Sequence, residues 1–105
     1  MAIAKAVQGA RHTGQTITWK RDDGSAQVLT GGTISARIIN ADDLKAVAFS
    51  SDGTFNITDG PNGVFTWGYG ALDVAQAGNY RVQFKVTFTN YDLSYATDWK
   101  IEKAI

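Results

Sequence analysis

The clearest pattern along the chain is a strict alternation of apolar and polar residues near its C-terminal end. Tyr80, Val82, Phe84, Val86 and Phe88 share one parity, and polar or charged residues occupy the positions between them. A period of two is typical of a strand with one face on a core and the other face in water. The pattern therefore predicts a half-buried strand over residues 80–88.

A run of small residues, "AQAG", lies just before this strand and predicts a tight corner. Gly78 can adopt backbone angles that other residues avoid. A tyrosine just after such a corner is typical of immunoglobulin-like sandwiches, where its hydroxyl group bonds to the backbone a few residues upstream. We therefore predict that Gly78 and Tyr80 form a structural corner. The alternative is that Tyr80 is an ordinary core tyrosine at the start of a strand.

The remaining strands are predicted from shorter alternations separated by turn signals such as "DDG", "GG", "SDG" and "DGPNG". These strands are "TITWK", "AQVLT", "TISARII", "TFNIT", "VFTWGY" and "TDWKIEK". The segment "ADDLKAVAF" could begin as a helical turn, but the shared parity of Val47 and Phe49 favours a strand. The inward positions predict one core, formed by Ile17, Trp19, Ile34, Ile38, Phe55, Phe65, Trp67, Val82, Phe84, Val86 and Ile101.

Seven or eight short strands at this spacing predict an all-β fold, an immunoglobulin-like antiparallel β-sandwich. The length of 105 residues fits a single domain. We place the sandwich over residues 15–105 and expect residues 1–14 to form an N-terminal arm or an edge strand.

Composition excludes several function classes. Ten basic and ten acidic residues give zero formal charge, whereas a nucleic-acid partner normally requires a basic surface. The chain has no cysteine and one histidine, His12, so thiolate or histidine-rich metal sites are not expected. No segment has the length and apolar character of a membrane span. We therefore expect no cofactor, no metal, no nucleic acid and no membrane insertion.

Candidate catalytic groups are few. The pairs Asp22–Asp23 and Asp42–Asp43 lie in turns, where aspartate side chains bond the local backbone. The glycines of "WGYG" are not followed by the lysine and hydroxyl residue of a phosphate-binding loop. The sequence therefore predicts that the chain is not an enzyme.

Exposed aromatic residues are the best candidates for a contact surface. Tyr91, Leu93 and Tyr95 lie in "TNYDLSYAT", which we place between the last two strands, where no core pattern requires three bulky residues. Tyr69, at the end of its strand, could join them. We predict these four residues as partner contacts, and we predict the uncharged segments "AQVLT" and "VFTWGY" as edge strands.

Three motifs along most of the chain resemble the N-terminal β-sandwich domain of the phage baseplate upper protein family. They are "LTGGTISARI" with Leu29, Gly31, Gly32 and Arg37, "ITDGPNGVFTW" with Ile57, Asp59, Gly63, Val64 and Trp67, and the corner with Ala77, Gly78 and Tyr80. Members of that family usually continue into further domains, which this sequence does not show. We therefore expect, more broadly, a structural module of a phage or prophage virion.

The resemblance implies a structural or assembly module of a tail, a baseplate or a head accessory. Its partners would be copies of itself or neighbouring virion proteins, and it would be made in the bacterial host cytoplasm before joining the virion. The alternative is a small carbohydrate- or ligand-binding module, with an aromatic platform for a glycan.

Overall fold

The structure, a computed structural model, describes residues 3–10, 14–43 and 45–104. These residues form eight strands and no helix. The strands are β1 (Ala6–Val7), β2 (Gly14–Thr18), β3 (Thr33–Asn40), β4 (Phe49–Ser50), β5 (Thr54–Asp59), β6 (Val64–Gly68), β7 (Gly78–Thr87) and β8 (Asp92–Glu102).

The strands form two sheets that pack face to face as a β-sandwich. In the described residues, the larger sheet has the order β1-β8-β7-β3-β4 and the smaller sheet has the order β2-β6-β5. All neighbouring strands run antiparallel except β1, which pairs parallel with the C-terminal end of β8. The predicted all-β sandwich is therefore confirmed, and β1 is an exception to the predicted antiparallel pairing.

The core lies between the two sheets and follows the predicted parity. Val82, Phe84 and Val86 of β7 are fully buried, while the residues between them are exposed. Ten of the eleven predicted core residues are buried, and Phe55 is partly buried against the same cluster. Aromatic rings fill the centre, where Trp67 lies 4.7 Å from Trp99 and 5.5 Å from Phe84 between ring centroids.

The predicted corner at the start of β7 is present. The Tyr80 hydroxyl group donates a hydrogen bond of 2.9 Å to the carbonyl oxygen of Gln76. Gly78 has a φ angle of 151°, a backbone conformation that residues with a Cβ atom rarely adopt. The glycine allows the chain to turn sharply into β7, and the tyrosine ties the turn to the strand.

Three predicted elements differ in the structure. "AQVLT" makes one isolated bridge, between Lys20 and Ala26, because the segment crosses the end of the smaller sheet and bonds its loops instead. Among the described residues of "ADDLKAVAF", Phe49 alone is in a strand, and Val47 is 84% exposed because the chain has left the sheet there. The segment after Tyr91 is the first half of β8 and not a connection between strands.

Candidate functional site

The predicted contact residues Tyr91, Leu93 and Tyr95 lie at the free end and along the second strand of the β7–β8 hairpin. A hydrogen bond of 2.8 Å from the Phe88 amide to the Tyr91 carbonyl oxygen closes the turn. The ring of Tyr91 lies 4.9 Å from the ring of Phe88 and is 57% exposed. Tyr91 is thus an accessible aromatic residue at the tip of the hairpin.

Leu93 and Tyr95 are not part of an exposed cluster with Tyr91. Both lie in β8 opposite Val86 and Phe84, so their side chains point to the core side of the sheet. Both are partly buried against the core, and the Tyr95 ring packs edge-on against Trp19 at 6.3 Å. The physical reason is that β8 begins at Asp92, so that these residues share the inward parity of the strand.

Tyr69 belongs to the core, and its predicted place in a contact surface is wrong. It is 6% exposed and packs edge-on against Trp67 at 5.0 Å. Its hydroxyl group accepts a hydrogen bond of 2.8 Å from the Gln15 amide. Burial raises the pKa of Tyr69, an effect that the Gln15 hydrogen bond opposes.

The open edge of β8, at Asp92, Ser94 and Ala96, has no neighbouring strand among the residues that the structure describes. The backbone amide of Gln8, just after β1, donates to the Glu102 carbonyl oxygen, and β1 lies on the side of β8 opposite β7. Because the direction of the backbone groups alternates along a strand, the even-numbered residues of β8 direct theirs away from β7. The Phe88–Tyr91 bond gives the same alternation, because the carbonyl of the odd-numbered Tyr91 faces β7. Since β1 pairs only with Ile101 and Glu102, the described residues leave the backbone groups of Ser94 and Ala96 without strand partners.

The charged side chains beside the open edge are largely neutralised. Arg81 pairs with Asp98 at 2.9 Å, and Lys85 pairs with Asp92 at 3.3 Å. Between these two acidic residues, the edge carries no charged side chain. Charged residues and prolines are the usual devices that protect an edge strand, and the centre of this edge has neither.

The sequence-based choice of edge strands is therefore wrong. "VFTWGY" contains β6, which lies at the centre of the smaller sheet between β2 and β5. Its lack of charge reflects burial, because Phe65 and Trp67 are fully buried. The alternation of Leu93, Tyr95, Thr97, Trp99 and Ile101 could have identified β8 as one long strand.

A second surface, the corner patch, lies beside the Tyr80 corner and was missed from the sequence. It joins Ala46, Val47, Phe49, Leu72 and Ala75 around a depression of about 270 Å³. Val47 is 84% exposed and Leu72 is 61% exposed. Large apolar residues that are exposed next to one another are typical of contact surfaces.

A third surface, the polar cleft, lies on the outer side of the smaller sheet. It has a volume of about 690 Å³, and its lining includes Gln15, Thr16, Thr54, Asn56 and Thr66. Hydroxyl and amide groups from all three strands meet there because outward positions alternate with the buried aromatic positions. The cleft offers hydrogen bonds but no exposed aromatic ring within the described residues.

Asp73 is a buried carboxylate beneath one end of this cleft. It is 1% exposed, and one carboxylate oxygen accepts hydrogen bonds from the Ser51 hydroxyl group at 2.7 Å and from the Gly70 amide at 2.9 Å. Burial raises the pKa of Asp73, and these two bonds oppose the rise. Because it joins the loops after β4 and β6, we assign Asp73 a structural role.

Within residues 3–10, 14–43 and 45–104, no three histidine, cysteine or acidic side chains lie close enough to hold a metal ion. His12 lies outside the described residues. No helix in the same ranges is long and apolar enough to cross a membrane.

Comparison with known proteins finds no protein-family model that matches the chain and no similar curated protein.

Proposed function

We propose that this chain is a non-catalytic structural module of a phage or prophage particle that acts through contacts with other protein chains. The observation that carries the proposal is the open edge of β8. At Ser94 and Ala96, the outward-facing amide and carbonyl groups have no strand partner among the described residues, and such groups are suited to pairing with a strand of another chain. The resemblance of the three sequence motifs to phage baseplate domains gives the setting in which such pairing would operate.

The rigidity of the domain supports the same role. The β7–β8 hairpin pairs along its whole length, from Gly78 with Ile101 to Thr87 with Asp92. The inner side of the hairpin packs against the aromatic core, so the edge strand is already ordered before it binds a partner. Pre-ordered elements bind with a smaller entropic cost than flexible ones. The corner patch with Val47 and Leu72 would provide a second, apolar contact.

A direct test is the composition of purified particles. Particles collected on a density gradient from the organism that carries the gene are expected to contain this chain, detected by mass spectrometry. Recovery of the chain only outside the particles would contradict the proposed setting.

The open edge is tested by Ala96→Pro. The Ala96 amide points away from β7, so a proline there removes no bond of the β7–β8 ladder but places a ring on the open edge. The variant is expected to fold and to lose incorporation into particles. The matched control is Val28→Pro, because Val28 is exposed in a segment without regular strand pairing and far from the edge in the chain. Normal incorporation of a folded Ala96→Pro variant would remove the edge from the proposal.

The polar cleft supports a second candidate function, the binding of a glycan or another hydroxyl-rich ligand. Its threonine and asparagine side chains are suited to hydrogen bonds with such a ligand, whereas the Gln15 amide group already bonds Ala4 and Tyr69. A glycan array tests this candidate, with Thr66→Val as the variant that removes a hydroxyl group from the central strand. Binding that survives Thr66→Val unchanged would place the ligand elsewhere.

A further inference from the structure

We infer that copies of this chain stack head to tail, with the outer face of the larger sheet of one copy over the polar cleft of the next. Arg37 of the first copy then pairs with Asp52 of the second. This contact uses surfaces other than the open edge of β8, so the inference goes beyond the proposed function and does not rest on it. Because the contact joins two different surfaces, it repeats from copy to copy and can form a filament or a ring.

The outer face of the larger sheet carries unpaired positive charge. The acidic residues of its strands, Asp92, Asp98 and Glu102, each form an ion pair with a basic residue. Arg37 and Lys100 are exposed on the same face, and neither has an ion pair within residues 3–10, 14–43 and 45–104. This face is therefore positive although the whole chain has zero formal charge.

Arg37 is the cation nearest the centre of this face. It lies opposite Gln83 of β7, and it lines a shallow depression of about 190 Å³ together with Ile39, Ala48 and Ala96. Its guanidinium group makes no hydrogen bond to the described part of the chain. A guanidinium group can hold a carboxylate through two parallel hydrogen bonds. The small and apolar neighbours of Arg37 would exclude water from such a pair.

The polar cleft on the smaller sheet carries the opposite charge. The three strands of that sheet contain no basic residue, and the exposed Asp52 lines the cleft at one end. One Asp52 carboxylate oxygen accepts a bond of 3.3 Å from the Leu72 amide, and the other has no hydrogen bond among the described residues. Burial is the main cause of the raised pKa of Asp73 beneath the cleft, and the negative charge of Asp52 adds to it. This end of the cleft is therefore suited to a cation.

A second copy of the chain matches both surfaces at once. Arg37 supplies the positive charge that the cleft lacks, and Asp52 supplies a carboxylate to a face whose own acidic residues are already paired. The cleft has a volume of about 690 Å³, and its side chains Thr54 and Asn56 could accept bonds from the remaining guanidinium N–H groups. Zero formal net charge leaves no overall repulsion between copies.

Charge exchange tests the pair. Arg37→Glu and Asp52→Lys should each weaken self-association at least about tenfold, because each replaces an attraction with a repulsion at every contact. A chain with both substitutions should associate with itself again but not with the native chain. Arg21→Glu and Asp22→Lys are the matched controls, since they lie in a turn beyond the end of the smaller sheet opposite Asp52. Sedimentation velocity over a concentration series measures all of these proteins.

Milder variants separate the charge from any effect on folding. Asp52→Asn keeps an oxygen that can accept the bond from the Leu72 amide, so it should fold as the native chain does and still weaken association. Arg37→Lys keeps the charge but cannot form two parallel bonds, so its association should lie between those of the native chain and Arg37→Glu. Urea unfolding measures the stability of each variant.

Cross-linking tests the head-to-tail arrangement, because the chain has no cysteine of its own. Gln83→Cys places a thiol beside Arg37 on the larger sheet, and Asn56→Cys places one in the cleft. A short bismaleimide should join the two variants in a mixture, and neither variant should form a dimer alone. A dimer of Gln83→Cys alone would show that identical faces meet, which contradicts the inference.

The inference is overturned if the native chain remains a monomer at all concentrations, if the charge variants associate as the native chain does, or if the doubly substituted chain does not associate with itself. A monomeric chain that binds a glycan would assign the cleft to that ligand instead. Ser94→Pro changes the open edge of β8 and lines neither surface of this contact, so head-to-tail association should survive it. Association lost in Ser94→Pro but kept in the charge variants would retain the proposed edge contact and remove this one.

Discussion

The hydrogen bond at the Tyr80 corner gives the sharpest stability prediction. Tyr80→Phe removes the hydroxyl group that donates to the Gln76 carbonyl oxygen at 2.9 Å and leaves the ring in place. Because Gln76 is exposed, water can replace the lost donor. The expected cost is therefore the net value of one hydrogen bond, about 1 kcal/mol, and not the larger penalty of a buried unsatisfied group.

Urea unfolding measured by tryptophan fluorescence is suited to this variant, because Trp19, Trp67 and Trp99 are all buried. For a domain of this size, a loss of about 1 kcal/mol lowers the melting temperature by about 4–8 °C. The dependence on urea concentration should be unchanged, since the fold is retained. The matched control is Tyr91→Phe, because the Tyr91 ring is 57% exposed at the hairpin tip, where water solvates its hydroxyl group in both the folded and the unfolded chain. This control should be neutral.

The pH dependence gives a second measurement on the same variant. Burial, followed by the negative charge of Asp42, raises the pKa of Tyr80 above its ordinary value of 10.0. The folded chain then retains the proton at a pH where the unfolded chain loses it, so this group's contribution to stability falls as the pH rises above 10.0. The difference in the free energy of unfolding between the native chain and Tyr80→Phe should therefore become smaller above that pH. An unchanged unfolding midpoint for Tyr80→Phe at neutral pH would refute the corner as a stabilising bond.

Three further predictions concern buried and constrained positions. Burial raises the pKa of Asp73 above 3.8, so its contribution to stability falls as the pH rises above that value. Asp73→Asn should therefore gain stability relative to the native chain from about pH 3 to about pH 7. A constant difference in the free energy of unfolding between the two proteins would contradict this. Gly63→Ala should lower the free energy of unfolding by more than about 2 kcal/mol, since the φ of Gly63 is 72° and an added Cβ would lie 2.6 and 2.7 Å from two carbonyl oxygens. Gly24→Ala should lower it by only about 1 kcal/mol, because Gly24 has a φ of 86° but open space around the added Cβ. Leu93→Ser should lower the free energy of unfolding by about 2 kcal/mol, and Tyr91→Ser by less than about 0.5 kcal/mol, in urea titrations; equal effects within either pair would contradict the structure.

The strand parity could be predicted from the sequence because it depends on local geometry. Side chains alternate along any strand, so the inward positions of β7 and β6 follow from their spacing alone. The corner could be predicted for the same reason, since Gly78, Tyr80 and Gln76 lie within one turn of the chain. Turn signals such as Asp23-Gly24 also act locally, and Asp23 does accept a bond from the Ser25 amide at 2.9 Å.

The candidate site could not be predicted in the same way. An uncharged alternating segment has the same pattern at the centre of a sheet and at its edge, and only strand pairing distinguishes "VFTWGY" in β6 from the open edge of β8. Tyr69 had the inward parity of Phe65 and Trp67, which should have outweighed its position at the end of the strand. The sequence predicts Leu93 in a connection, and not in β8, because polar residues interrupt the apolar pattern between Leu93 and Trp99.

The sequence by itself determined the secondary structure class, the inward face of most strands, the aromatic core and the corner, because each depends on residues a few positions apart. The tertiary structure decided which strands pair, which edge remains open and which apolar residues are exposed. Val47 and Leu72 meet at one depression although 25 positions of chain separate them, and β1 pairs with a strand from the opposite end of the sequence. Such contacts depend on which strands lie next to each other in the two sheets, and a short-range sequence pattern carries no information about that arrangement.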